Sequence, residues 1–179
     1  MAKELILRDG TPAMVWSVSP SDARGLAENY AHLSDRTRYR RFLSPIPRLS
    51  PELLRLLVDT VDGVDHVALI LVVFPSDEPE RAVGIARMIR LSEDATAADV
   101  AVTVVDEWQG RGVASALLAE LMENRPVGVR TIRTQVGAEN QPSLAMLRRL
   151  GDIHLDQVGS GVYDVQVDLE QQAGAPTQG

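Results

Sequence analysis

The segment Gln109-Gly110-Arg111-Gly112-Val113-Ala114 has the residue types of an anion cradle. It follows the β-branched run from Ala98 to Val105 and leads directly into Val113, Leu117, Leu118, Leu121 and Met122, whose spacing is helical. A strand-to-helix junction of this kind aims several backbone N–H groups, none with an intrahelical partner, and the positive end of the helix dipole at one point. A phosphate suits that point. Gly110 and Gly112 carry no side chain to hold a diphosphate off the backbone, and Arg111 adds a positive charge beside it. Two other phosphate motifs fit less well. No Gly-Lys-Ser/Thr follows at the Walker spacing, and the dinucleotide pattern meets Ser115 where its third glycine belongs and finds no acid near Arg130. An NAD(P)-binding reading therefore stands behind that of a shorter cradle.

A second chemical candidate lies upstream. Alternation along the strand places Val100, Val102 and Val104 on one face and Asp99, Ala101, Thr103 and Val105 on the other, which leaves an ionisable group at the start of an apolar strand. Arg36-Thr37-Arg38-Tyr39-Arg40-Arg41-Phe42 concentrates positive charge in a chain whose net charge is −7. It reads either as a contact for cofactor phosphates or an acidic partner, or as a solvated helical face with Tyr39 and Phe42 turned inward. The acidic balance disfavours a nucleic-acid binder, because backbone affinity comes from accumulated Lys and Arg. There is no cysteine, which removes disulfides, zinc-thiolate sites and a thiol nucleophile. His32, His66 and His154 stand far apart without metal-ligand spacing, so each reads as a surface or packing residue and no metal is expected.

The elements that must position these groups are legible as periodicity. Asp9-Gly10 reads as a turn between Leu5-Ile6-Leu7 and Met14-Val15-Trp16. Ser19-Pro20-Ser21-Asp22 and Ser50-Pro51-Glu52 are helix starts, the first for a helix to about His32 and the second for Leu53, Leu56, Leu57 and Val61 on one face. Val67 to Phe74 is continuously apolar, as a strand buried on both faces would be, and further strands are predicted over 83–90, 98–105, 129–136, 153–158 and 162–169. Asn140 caps a helix that runs through Leu144 and Leu147 to Leu150 with Gly151 as terminator. At 179 residues, 45% hydrophobic and 24% charged, one domain is expected over residues 1–170, with a disordered tail over 171–179. The start lacks a signal-peptide pattern and no apolar run spans a bilayer, so the expected compartment is the cytoplasm, with no membrane and no nucleic acid among the partners.

Val104-Val105 through Gln109-Gly110-Arg111-Gly112-Val113-Ala114 resembles the acyl-CoA-binding signature of the GNAT superfamily, Gln/Arg-x-x-Gly-x-Gly/Ala, matched by Gln109, Gly112 and Ala114. Asn140, Ser143 and Leu150-Gly151 likewise stand at the spacing of that family's Asn-led helix ending in Leu-Gly. More loosely, Ser34 to Ser50 resembles the acyltransferase domain of bacterial cyclic-nucleotide-regulated protein-lysine acetyltransferases, whose nucleotide-binding domain has no counterpart in these residues. The resemblance implies an α+β (mixed α/β) fold: a mixed, mostly antiparallel sheet of about seven strands, flanked by about four helices and splayed near Val105, where a pantetheine arm lies like an extra strand. It implies that Val104 and Val105 pair with that arm through their backbones. The diphosphate would sit on Gln109, Gly110, Arg111, Gly112, Val113 and Ala114, with Asn140 and Ser143 reaching the cofactor from the other side.

The activity so implied is N-acetyl transfer from acetyl-CoA to a primary amine, a small molecule or a protein lysine. An amine with the ordinary pKa of about 10.4 must lose its proton at pH 7 at a cost of about 4.6 kcal/mol, so a basic group near the attack point is useful. Asp99 stands where the lysine-acetylating relatives carry a glutamate, and being one methylene shorter it would act through a bridging water or anchor the ammonium. Leu147 stands where many relatives place a tyrosine that protonates the leaving thiolate. A catalytically silent acyl-CoA-binding or regulatory module is the rival reading. The oligomeric state, a homodimer included, is open at the level of sequence.

Overall fold

A computed structural model describes residues 2–76, 79–159 and 161–169. Among these residues are eight strands and five α-helices: β1 (Lys3–Ile6), β2 (Pro12–Ser17), α1 (Ala23–His32), α2 (Asp35–Phe42), α3 (Pro51–Asp59), β3 (His66–Val73), β4 (Arg81–Leu91), β5 (Asp94–Val104), α4 (Val113–Glu123), β6 (Thr131–Gly137), α5 (Gln141–Leu147), β7 (Gly151–Gln157) and β8 (Val162–Leu169). The strands follow one another across the sheet as β1-β2-β3-β4-β5-β6-β8-β7. The fold is the expected mixed α/β one, with one strand and one helix more than the resemblance implied. The additional helix is α2, formed by the basic stretch. The predicted tail over 171–179 lies outside the described residues.

The chain divides into two compact units. The first holds the described residues through Ile89 together with Val100–Val127, and the second holds Arg90–Asp99 with the described residues from Gly128 onward. In the first, β1, β2, β3 and β4 form an antiparallel ladder with β3 inside it, paired to β2 through Ala13↔Val73 and to β4 through Ile70↔Ile85. Every residue of β3 is buried. One of its faces meets a cluster of Val18, Leu26 and Val58 through Ala68 and Ile70, and α4 packs against the same strand, which is why β3 carries no polar alternation. Gly84 on β4 lets α4 come close, since a Cβ there would stand 2.8 Å from both Leu117 Cδ1 and Val113 Cγ1. In the second unit the start of β5 runs parallel to β6 through two residue pairs, Ala97↔Thr131 and Ala98↔Ile132, and β6, β8 and β7 continue antiparallel.

Local signals set most helix ends. Ser34 Oγ accepts from Thr37 N at 3.2 Å to open α2, and Ser50 Oγ accepts from Leu53 N at 3.1 Å ahead of Pro51 in α3. Ser19 opens a single 3₁₀ turn, Pro20–Asp22, before α1 begins. Three expectations are corrected. Asn140 occupies the cap position of α5, but its side chain makes no capping hydrogen bond. The α-helical bonding ends at Leu147 rather than Leu150, because Arg149 N and Leu150 N bond three residues back, to Met146 O and Leu147 O, and tighten the last turn. On α2, Phe42 meets Tyr30 edge to face at 6.0 Å, whereas Tyr39 is 45% exposed and does not turn inward.

Candidate functional site

The cradle is built on strain that glycine absorbs. After β5 the chain makes a 3₁₀ turn at Asp106–Trp108, then passes Gly110 (φ 76°) and Gly112 (φ 96°), both in the left-handed region, and enters α4. Gln109 N donates to Asp106 O and Ala116 N to Gly112 O, but the N–H groups from Gly110 to Ser115 have no hydrogen-bond partner among the described residues. That row of unanswered donors at the head of an eleven-residue helix fits a diphosphate.

Side chains around the cradle hold its shape. Gln109 Nε2 donates to Val104 O and to Thr37 Oγ1, each at 3.2 Å, so this side chain is folded back onto β5 and α2. Arg111 Nε donates to Asp9 Oδ2 at 2.8 Å and the guanidinium lies 4.2 Å over the Trp108 ring. The charge expected beside the phosphate is thus already shared with Asp9, and Arg111 acts first as a brace for the loop. Asp106 accepts from Ser34 N (2.9 Å), Ser34 Oγ (2.7 Å) and Thr37 Oγ1 (2.7 Å). Partial burial pushes its carboxyl up, yet these donors outweigh burial and hold it below the ordinary carboxylate value. Val105 N donates to Val83 O at 2.9 Å, so that N–H faces β4 and is not available to a pantetheine arm. Val104 precedes it with the opposite orientation along the strand.

In the second unit, Asn140 and Ser143 are half-buried, three residues apart at the head of α5, and neither side chain makes a hydrogen bond among the described residues. Asp99 is half-buried in β5, and its carboxylate has no described hydrogen-bond or ion-pair partner. Leu147 is packed at 3% exposure. No group of three or more His, Cys, Asp or Glu among the described residues could hold a metal ion, and no helix among them is long and apolar enough to cross a membrane.

A cleft opens in the first unit, walled by α1, α2, α3 and the facing strands, with Thr103 of β5 and the adjoining Val105 in its lining. Its polar end was not foreseen from sequence. Arg87 on β4 is 4% exposed; its Nη2 donates to Leu57 O and its Nη1 to His66 Nε2, both at 3.2 Å. Since a guanidinium only donates, Nε2 accepts, which leaves the proton on His66 Nδ1 to donate to Thr60 Oγ1 at 2.8 Å, and Thr60 in turn donates to Leu56 O at 2.6 Å. Burial, then the neighbouring Arg41, lower the Arg87 pKa to about 10; burial, then Arg87, lower that of His66. Partners 21 and 30 residues away leave no periodic trace, which is why spacing alone does not find this network.

A strand-to-helix turn with a row of unpartnered amides, set on a mixed sheet, suits a phosphate-bearing ligand. The sequence profile described as "Acetyltransferase (GNAT) family" matches residues 37–152, and the chain belongs to that family. It is 32% identical over 157 residues to "Acetyltransferase Pat" of Mycolicibacterium smegmatis, covering 85% of this chain and 44% of that protein. It is 30% identical over 146 residues to "Acetyltransferase PA5475" of Pseudomonas aeruginosa, covering 81% of this chain and 77% of that one. Among solved structures, the GNAT domain of S. lividans PAT is similar with a TM-score of 0.79 at 30% identity, over 94% of this chain and 97% of that one. The chain thus spans less than half the length of the Mycolicibacterium relative and nearly the whole of the isolated Streptomyces domain.

Proposed function

We propose that the chain transfers an acetyl group from acetyl-CoA to a primary amine. The observation that carries this reading is the run of unpartnered amides from Gly110 to Ser115 at the head of α4. On this reading these amides take the diphosphate and Val104 offers its backbone N–H to the pantetheine arm running alongside β5; Asn140 and Ser143 are further cosubstrate-binding residues that the family resemblance implies. The amine nitrogen bonds to the thioester carbonyl carbon, the C–S bond breaks, and CoA leaves as a thiolate with an ordinary pKa of about 8.5, tolerable without a dedicated acid. Asp99 either anchors the ammonium or, through a bridging water that makes up for its short reach, takes up the proton the amine loses before it attacks. The acceptor class is a primary amine, and a protein lysine is one candidate within it that the resemblance to the Pat proteins brings in.

Acetyl-CoA should raise the melting temperature, and an amine and peptide panel should reveal turnover. Asp99→Ala should then lower turnover by about 100-fold or more with acetyl-CoA affinity retained. Equal losses in both would remove Asp99 from catalysis. The packed Leu147 favours a second reading, a silent acyl-CoA-binding module. Slow acetyl-CoA hydrolysis that no amine accelerates would select it.

A further inference from the structure

We infer that the cleft of the first unit selects an amine acceptor that brings its own carboxylate, a free amino acid or short amino carboxylate with an apolar side chain, and that Arg87 is the counter-charge that reads it. The inference rests on the acetyl-transfer reading and narrows its acceptor. Both described partners of Arg87, the Leu57 carbonyl and the His66 imidazole, are neutral, and no described carboxylate pairs with it. A guanidinium has five N–H donors, of which these two partners use two. A buried cation without a counter-charge is costly, and a bound carboxylate supplies the missing charge. Thr103 Oγ1, in the wall of the same cleft, is buried without a hydrogen-bond partner and offers a second donor. Leu26, Phe42, Leu49 and Ile70 give the cleft its apolar lining, and no Asp or Glu lines it. A lysine inside a protein has its carboxyl tied up in a peptide bond and would leave Arg87 unanswered.

The test compares leucine, leucinamide and isoamylamine, which share an amine and a side chain and differ in the carboxylate, with a lysine-containing peptide, all at saturating acetyl-CoA. Leucine should exceed leucinamide in kcat/KM by about thirtyfold, mostly through KM. Arg87→Gln should bring that ratio close to one, and Arg87→Lys should restore part of it. Equal kcat/KM for leucine, leucinamide and isoamylamine, a peptide preferred over all of them, or an unchanged ratio in Arg87→Gln overturns the inference. Near-UV circular dichroism checks that the variants fold. Thr103→Val is the milder probe if Arg87→Gln does not fold, and it should lower the ratio about threefold. If acetyl-CoA protects the protein from heat but no amine is acetylated, the acetyl-transfer reading fails separately. The cleft is then decided by leucine in the presence of CoA: protection lost in Thr103→Val or Arg87→Gln upholds the anion site, and no protection by leucine overturns it.

Discussion

At the scale of single residues, the buried Arg87 is held by hydrogen bonds to neutral groups, whereas exposed charges such as Arg111 pair with opposite ones. His66 shows the consequence most directly. Its Nε2 must accept from Arg87, so a proton added to the ring would set two cations against each other in a buried space. The folded pKa lies below the ordinary value of about 6.5, so the unfolded chain takes up the proton first as pH falls. Stability from this group is therefore fully present above about 6.5 and is lost as pH drops from there through the folded pKa. Urea titrations at pH 7, 6 and 5 should show the loss, with a flatter slope in His66→Gln; identical slopes would exclude His66 as its origin. The placement of Asp99 on β5 and of the Gln109–Ala114 segment at the head of α4 was legible in sequence because the signal is local: one acid on an apolar strand, two glycines before a helix. Arg87 was not legible, because mid-strand polar residues ordinarily read as solvent-facing and its neighbours come from α3 and the start of β3.

Among the elements, α4 carries the largest share of the argument, since it packs on β3 and presents the cradle at its head. Its approach depends on Gly84, where an added methyl would meet Leu117 and Val113 at 2.8 Å and Thr103 O at 3.3 Å. Gly84→Ala should destabilise the fold by about 1–3 kcal/mol, measured by urea or thermal unfolding, and weaken acetyl-CoA binding by shifting Val113. A wild-type melting temperature in this variant would mean that α4 has slack that its contacts do not suggest. The sequence located this helix, α3 and the β7–β8 hairpin strands to within a few residues, because apolar spacing and Ser-Pro starts specify them locally. It misjudged the end of α5 and the side chain of Asn140, since a 3₁₀ turn and an unused cap are settled by bonds that periodicity does not encode.

For the whole molecule, a net charge of −7 would oppose the approach of the polyanionic cosubstrate that the acetyl-transfer reading requires. Raising ionic strength from about 0.02 to about 0.2 M shortens the screening length from about 20 to about 7 Å. The association rate of acetyl-CoA, followed by stopped-flow fluorescence of Trp108, should therefore rise about two- to threefold. A falling rate would show that the arginines of α2 dominate the encounter. The strand count was legible as eight apolar runs even though the family resemblance implied about seven, because each run is bounded by its own turn residues. Asp106 joins the cap of α2 to the turn that precedes the cradle, and α2 also carries Phe42 into the cleft wall. On the acetyl-transfer reading, a ligand that stiffens the cradle therefore stiffens the wall of the cleft as well. Reciprocal linkage then lets occupation of either place favour occupation of the other by one shared factor.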